Sequence, residues 1–97
     1  MRVSWTEHAL VQLDEAIALI ASDRPEAALI WLERLLEASD SLAELPDRGR
    51  VVPEAGREDV RELIVGPYRL VYRRDVGATT ITMVLHSRRE LHEDDVL

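Results

Sequence analysis

The sequence predicts an α+β fold in the order β-α-α-β-β-β, with a helical hairpin packed on a small twisted antiparallel sheet. Three observations predict it. Val60 to Arg89, VRELIVGPYRLVYRRDVGATTITMVLHSRR, sustains β-type alternation through two recognisable turns. Upstream of it, two stretches repeat apolar residues at helical spacing. The link between those stretches is short enough to force them into an antiparallel pair.

The 97 residues suit a single domain, 1–97, with room for one two-layer core. No stretch approaches the roughly 20 apolar residues of a membrane span. The N-terminal MRVSWTEH lacks the charged-then-apolar pattern of a signal peptide, so a cytoplasmic protein with no membrane partner is expected. There is no cysteine, which excludes disulfides and thiolate metal sites. His8, His86 and His92 fall on different elements, so neither a metal nor a cofactor is expected.

Arg2 to Trp5 reads as a short strand ending at Thr6, whose hydroxyl can cap a following helix. Leu10, Leu13, Ile17 and Ile20, with Ala9 and Ala16 beside them, place that helix over about Glu7 to Ala21. Ser22 to Glu26 breaks it and starts another, with Asp23 as a cap, Pro25 in the first turn and Glu26 at a capping-box-like spacing. Ala28, Leu29, Leu32, Leu35, Leu36, Ser39, Leu42 and Ala43 form the apolar stripe of the second helix, which should stop near Leu45, before Pro46. Asp47 to Asp59, DRGRVVPEAGRED, reads as a surface connection.

Three strands follow, Val60 to Val65, Tyr68 to Arg73 and Thr79 to Ser87, joined by Gly66-Pro67 and by Asp75 to Ala78. In the last of them Ile81, Met83 and Leu85 alternate with Thr82, Val84 and His86. In the middle one Leu70 and Tyr72 alternate with Arg69, Val71 and Arg73. The second helix should pack on the face bearing Leu70, Tyr72 and the Ile81-Met83-Leu85 set, or on its opposite-parity equivalent. The face bearing arginines is a site, or it is merely solvated.

Charge is unevenly spread. The formal net charge is −7, yet residues 1–47 hold ten acids and three Arg, residues 48–89 five acids and nine Arg, and residues 90–97 four acids and no base. All twelve basic residues are Arg. Their rigid donor fork suits phosphate or carboxylate.

Four segments stand in order along this pattern: WTEHAL, LPDRGRVVPE, RELIVGPYRLVYR and VLHSRREL. Together they resemble the RelE/ParE superfamily of toxins from bacterial type II toxin–antitoxin modules over essentially the whole chain. The resemblance implies a cognate antitoxin that wraps and neutralises the toxin in a hetero-oligomer. In the RelE-like branch the toxin enters the ribosome and cleaves mRNA, using basic residues and a Tyr or His near the C-terminus. In the ParE-like branch the target is DNA gyrase and the nuclease residues are missing.

Carried over residue by residue, the resemblance singles out Arg69 in the Tyr-Arg strand, where nuclease members hold the phosphate, and Arg88 and Arg89 with His86 at the end of the last strand. Arg48 and Arg50 match a Gly-Arg element that contacts the target. His92 stands where many nuclease members carry a Tyr, so Arg69, Arg88, Arg89 and His92 would be the catalytic set of a RelE-like enzyme. Plainer readings stand beside these. Arg69 can pair with Glu62 on the neighbouring strand, Arg88 and Arg89 can be solvated, and Arg48-Gly49-Arg50 can be an exposed turn. His86 can be a hydrogen-bonding structural residue, and Glu93, Asp94 and Asp95 would repel RNA next to His92. Tyr68, Tyr72, Trp5 and Trp31 suit packing. The missing C-terminal Tyr, the long helices and the acidic pI of about 4.9 favour the gyrase-directed branch over mRNA cleavage. A small adaptor without toxicity is the third expectation, opposed by the motifs.

Overall fold

A computed structural model describes residues 2–86. The elements run β1 (Arg2–Trp5), α1 (Glu7–Asp23), α2 (Pro25–Ser41), β2 (Arg50–Val51), β3 (Val60–Val65), β4 (Tyr68–Asp75) and β5 (Ala78–His86). They form a five-stranded sheet in the order β1-β5-β4-β3-β2, with both helices on one face. No helix among the described residues is long and apolar enough to cross a membrane.

The sheet is mixed, not wholly antiparallel. β1 pairs in parallel with β5, Arg2 opposite Ala78 through Trp5 opposite Ile81, while the other ladders are antiparallel. The cause is a count. Each connection reverses the chain, so the first and seventh elements run the same way. β2, two residues long within the segment expected to be a surface connection, makes the count odd; without it the first and last strands would oppose each other.

Thr6 ends β1 and starts α1 as its chemistry suggests. Its N–H donates to the Ile81 carbonyl at 2.9 Å, and its hydroxyl accepts from the Ala9 N–H at 3.0 Å. At the hairpin the expected cap is displaced. Asp23 is the last residue of α1, and Arg24 stands between the helices with its N–H on the Ile20 carbonyl at 2.7 Å. Pro25 opens α2 with no side-chain cap; the Arg24 carbonyl accepts from the Ala27 and Ala28 N–H groups at 3.0 and 3.1 Å, and proline suits the first turn because its missing N–H is one that the helix leaves unpaired. α2 ends at Ser41, earlier than Leu45, and its buried stripe is narrower than the apolar pattern. Ala28, Leu35, Ser39 and Leu42 are buried, whereas Leu29 and Leu36 lie on the solvent side.

The core divides across the sheet. On the helix side Leu13, Leu35 and Leu42 meet Leu63, Leu70, Tyr72, Ile81 and Val84. On the other side Val60, Val71, Met83 and Leu85 are sealed by Val52 and Ala55, so residues 52–55 cover a face that the sequence leaves open. The Ile81-Met83-Leu85 set is therefore split. The β4–β5 register shifts between Val71, opposite Met83, and Tyr72, opposite Ile81, leaving Thr82 as the extra residue of a bulge. Alternation restarts after the bulge, which turns Val84 towards the helices and Met83 and Leu85 away from them.

Two glycines allow close approach. Gly66, at φ +58°, makes the β3–β4 turn and lies against the Trp31 ring where a Cβ would stand. Gly49 sits where a Cβ would come within 2.7 Å of both the Glu62 carbonyl oxygen and the Tyr72 hydroxyl. That contact is used: the Gly49 N–H donates to Tyr72 Oη at 2.9 Å, and Tyr72 Oη donates to the Pro46 carbonyl at 2.7 Å. One phenol thus ties the connection after α2 to the middle of the sheet.

Burial pushes the Tyr72 phenol above its ordinary value, and it does the same at Tyr68. The folded state then keeps a proton that the unfolded chain releases, so stability is intact below the unfolded value of about 10 and is lost as the pH rises through the folded one. Urea unfolding followed from about pH 8 to about pH 11 should show this decline beginning near pH 10. Tyr72→Phe should lessen the decline and should cost roughly 1–3 kcal/mol at pH 8, because it leaves the buried Gly49 N–H without its acceptor. An alkaline limb of the same steepness in the variant would show that Tyr72 does not carry the effect.

Candidate functional site

The arginine-bearing face carries a closed ionic network. β2 and β3 place Arg50 opposite Glu62, and the β3–β4 ladder places Arg69 opposite Ile64, diagonal to Glu62 on the same face. Glu62 Oε1 accepts from Arg50 Nε at 2.7 Å, and Oε2 accepts from Arg69 Nε at 2.6 Å with Arg69 NH2 at 2.5 Å. Glu54, from the covering segment, takes Arg69 NH1 and NH2 through Oε2 at 3.3 Å. The side chain of Glu62 is 0% exposed and that of Arg69 8%, so this pair is buried, while Arg50 reaches solvent. A buried carboxylate is tolerable here because charge-assisted donors meet both of its oxygens.

The expected residues therefore separate. Arg50 and Arg69 come together on Glu62, and every nitrogen of the Arg69 guanidinium already faces a carboxylate. Arg48 lies apart, at the end of α2, where NH1 donates to Ser41 Oγ at 2.6 Å. His86 ends β5 on the helix side, its ring edge-on to Tyr68 with centroids 5.9 Å apart. Tyr68 in turn meets Trp31 edge-on at 6.1 Å, and the Arg34 guanidinium lies 4.9 Å above the Trp31 ring. Arg88, Arg89 and His92 lie outside the described residues. Among the described residues no group of His, Asp and Glu is placed to hold a metal ion.

Ion pairing sorts the arginines further. Arg57 pairs with Asp59, Arg73 with Asp75, and Arg61 and Arg74 share Asp47. Asp59 is held below the usual carboxylate range by its hydrogen bond from Arg57. With Arg50 and Arg69, every described arginine from β2 onward has a carboxylate partner. Arg2, Arg24, Arg34 and Arg48 have none among the described residues, and the last two line one groove with Glu37, Ala38, Ile64 and Val65. Sequence reasoning missed Arg34 and Glu54. The available signals were an arginine alone within two acidic helices, and an acid following the apolar Val51-Val52 in a segment otherwise rich in charge.

Comparison with known proteins adds the following. The family model for the ParE toxin of the type II toxin–antitoxin system parDE matches residues 3–91. Y4kP of Sinorhizobium fredii is 40% identical over 94 residues, covering 92% of this chain and 91% of the relative. Toxin RelE2 of Caulobacter vibrioides is 38% identical over 88 residues, covering 91% of this chain and 97% of the relative. The fold matches a chain of the chromosomal ParDE toxin–antitoxin system from P. aeruginosa with a TM-score of 0.75 at 22% identity, over 89% of this chain and 95% of that one.

Proposed function

The chain belongs to the ParE toxin family of type II toxin–antitoxin systems, and from that premise we propose that it arrests growth in the cytoplasm by binding DNA gyrase, until a cognate antitoxin neutralises it. The observation that carries this reading is the state of Arg69. At the position where nuclease relatives hold a phosphate, the guanidinium is buried and bound on all three nitrogens by Glu62 and Glu54. A phosphate would have to displace Glu54 and approach beside a second buried carboxylate. The net charge of −7 also opposes approach to a polyanion. A toxin that works by binding a protein needs no such phosphate site.

Ribosome-dependent mRNA cleavage is the second reading, favoured by the relative named RelE2 and by the sequence placement of Arg88, Arg89 and His92. General acid–base help of the kind His92 would give is worth about 10²–10⁴-fold in rate, so the two readings part at that residue. Purified chain should inhibit supercoiling by gyrase, and His92→Ala should remain toxic, with filamentous cells whose translation continues at first. Rapid loss of translation with mRNA cuts, abolished by His92→Ala, would instead select the nuclease.

A further inference from the structure

The second edge of the sheet is unfinished. Even-numbered residues of β3 turn their backbone groups towards β2, as Val52 N–H donating to the Val60 carbonyl at 3.0 Å shows. Towards Ile64 the β2 ladder goes no further than Arg50 opposite Glu62. Beyond Glu62 the chain that would continue the ladder is drawn inward, because Tyr72 Oη captures the Gly49 N–H and the Pro46 carbonyl. Ile64 is left with its backbone edge facing outward and its side chain exposed, with no hydrogen-bond partner on that edge among the described residues. Across from it lies α2, and the groove between them is lined by Arg34, Glu37, Ala38, Arg48, Ile64 and Val65.

An open strand edge is a template for another strand. What selects the strand here is charge. In a chain of net charge −7, four described arginines lack a carboxylate partner among the described residues, and two of the four, Arg34 and Arg48, stand together at this one groove. Both are pre-positioned, Arg34 by the Trp31 ring and Arg48 by Ser41 Oγ. Glu37 also lines the groove, so complementary negative charge belongs at the two arginines and is unfavourable elsewhere.

We propose that the groove between α2 and the open edge of β3 takes an extended, carboxylate-bearing segment of the antitoxin, which adds as a strand beside Ile64 and sets its carboxylates on Arg34 and Arg48. This inference rests on the reading of the chain as an antitoxin-neutralised toxin. It assigns the main-chain hydrogen bonds to affinity and the two arginines to partner choice.

The test uses the purified chain and its co-purified cognate antitoxin. Amide hydrogen exchange should slow at Ile64 on complex formation. The double charge reversal R34E/R48E, at two solvent-facing positions, should keep its thermal melt and lose at least tenfold in antitoxin affinity at low salt, with the deficit shrinking as salt is raised. An unchanged Ile64 amide in the complex, or an unchanged affinity of R34E/R48E, overturns the proposal and leaves the toxin reading intact. Loss of gyrase inhibition by R34E/R48E with undiminished antitoxin affinity also overturns it, because the groove would then belong to the target. Failure of the toxin reading registers separately, as wild-type chain whose expression without the antitoxin leaves growth unchanged.

Discussion

Glu62→Ala is expected to cost about 3–5 kcal/mol of folding stability, the range for removing one member of a buried ion pair. The size follows from what remains. Arg69, 7% exposed, would keep only Glu54 at 3.3 Å and would be left charged and largely shut off from water. Against a typical total of about 5–15 kcal/mol, such a loss leaves a domain that is marginal at best. Replacing both partners by leucine, E62L/R69L, should recover most of the loss, since an apolar pair of similar volume carries no desolvation penalty. Urea unfolding of the two variants decides the matter: a Glu62→Ala loss below about 1 kcal/mol would show that water already relieves the charge. The double variant also bears on function. If Arg69 is structural, E62L/R69L should still inhibit gyrase, whereas a folded double variant that no longer does so assigns Arg69 to the target surface.

Leu35→Asp should abolish the cooperative thermal melt. Leu35 is 0% exposed and belongs to the cluster formed by Leu42, Leu63, Leu70 and Tyr72, so a carboxylate there has no water and no donor. Truncation alone, Leu35→Ala, should cost about 2–5 kcal/mol. One residue further on, Leu36 is 41% exposed, and Leu36→Asp should change stability by no more than about 0.5 kcal/mol. The contrast between neighbours is the measurement. If Leu35→Asp still melts cooperatively near the wild-type temperature, α2 does not pack as described.

The contents of the fold were more legible in the sequence than its directions. Thr6 as a cap, the two helices, the Gly66 turn and the alternation of Leu70 and Tyr72 with Arg69 and Val71 are local signals, and each element stands within a few residues of its expected place. The misplaced features are those set by partners distant in sequence. Nothing in Ile81-Thr82-Met83 marks a bulge; it exists because β4 pairs Tyr72 with Ile81 and Val71 with Met83. β2 is two residues in a charged segment, too short to give a period, yet it decides that β1 runs parallel to β5. At the candidate site, parity put Glu62 and Arg69 within reach of each other. Burial of that pair was hidden because Val52, Glu54 and Ala55 read as parts of an exposed connection and fold over the sheet instead.

The pairing of β1 with β5 also fixes when this protein can exist during its own synthesis. Arg2–Trp5 emerges from the ribosome well before its partner strand, which begins at Ala78, after the helices and the other described strands have been made. α1 and α2 emerge with no sheet to dock on, and helices of 17 residues are marginal in isolation. The ladders that complete the core are non-local and cannot form until the loops between them can close. A nascent chain halted before Ala78 therefore has neither a closed edge nor the Ile81 and Val84 layer beneath the helices, and the folded domain forms only once β5 has been made.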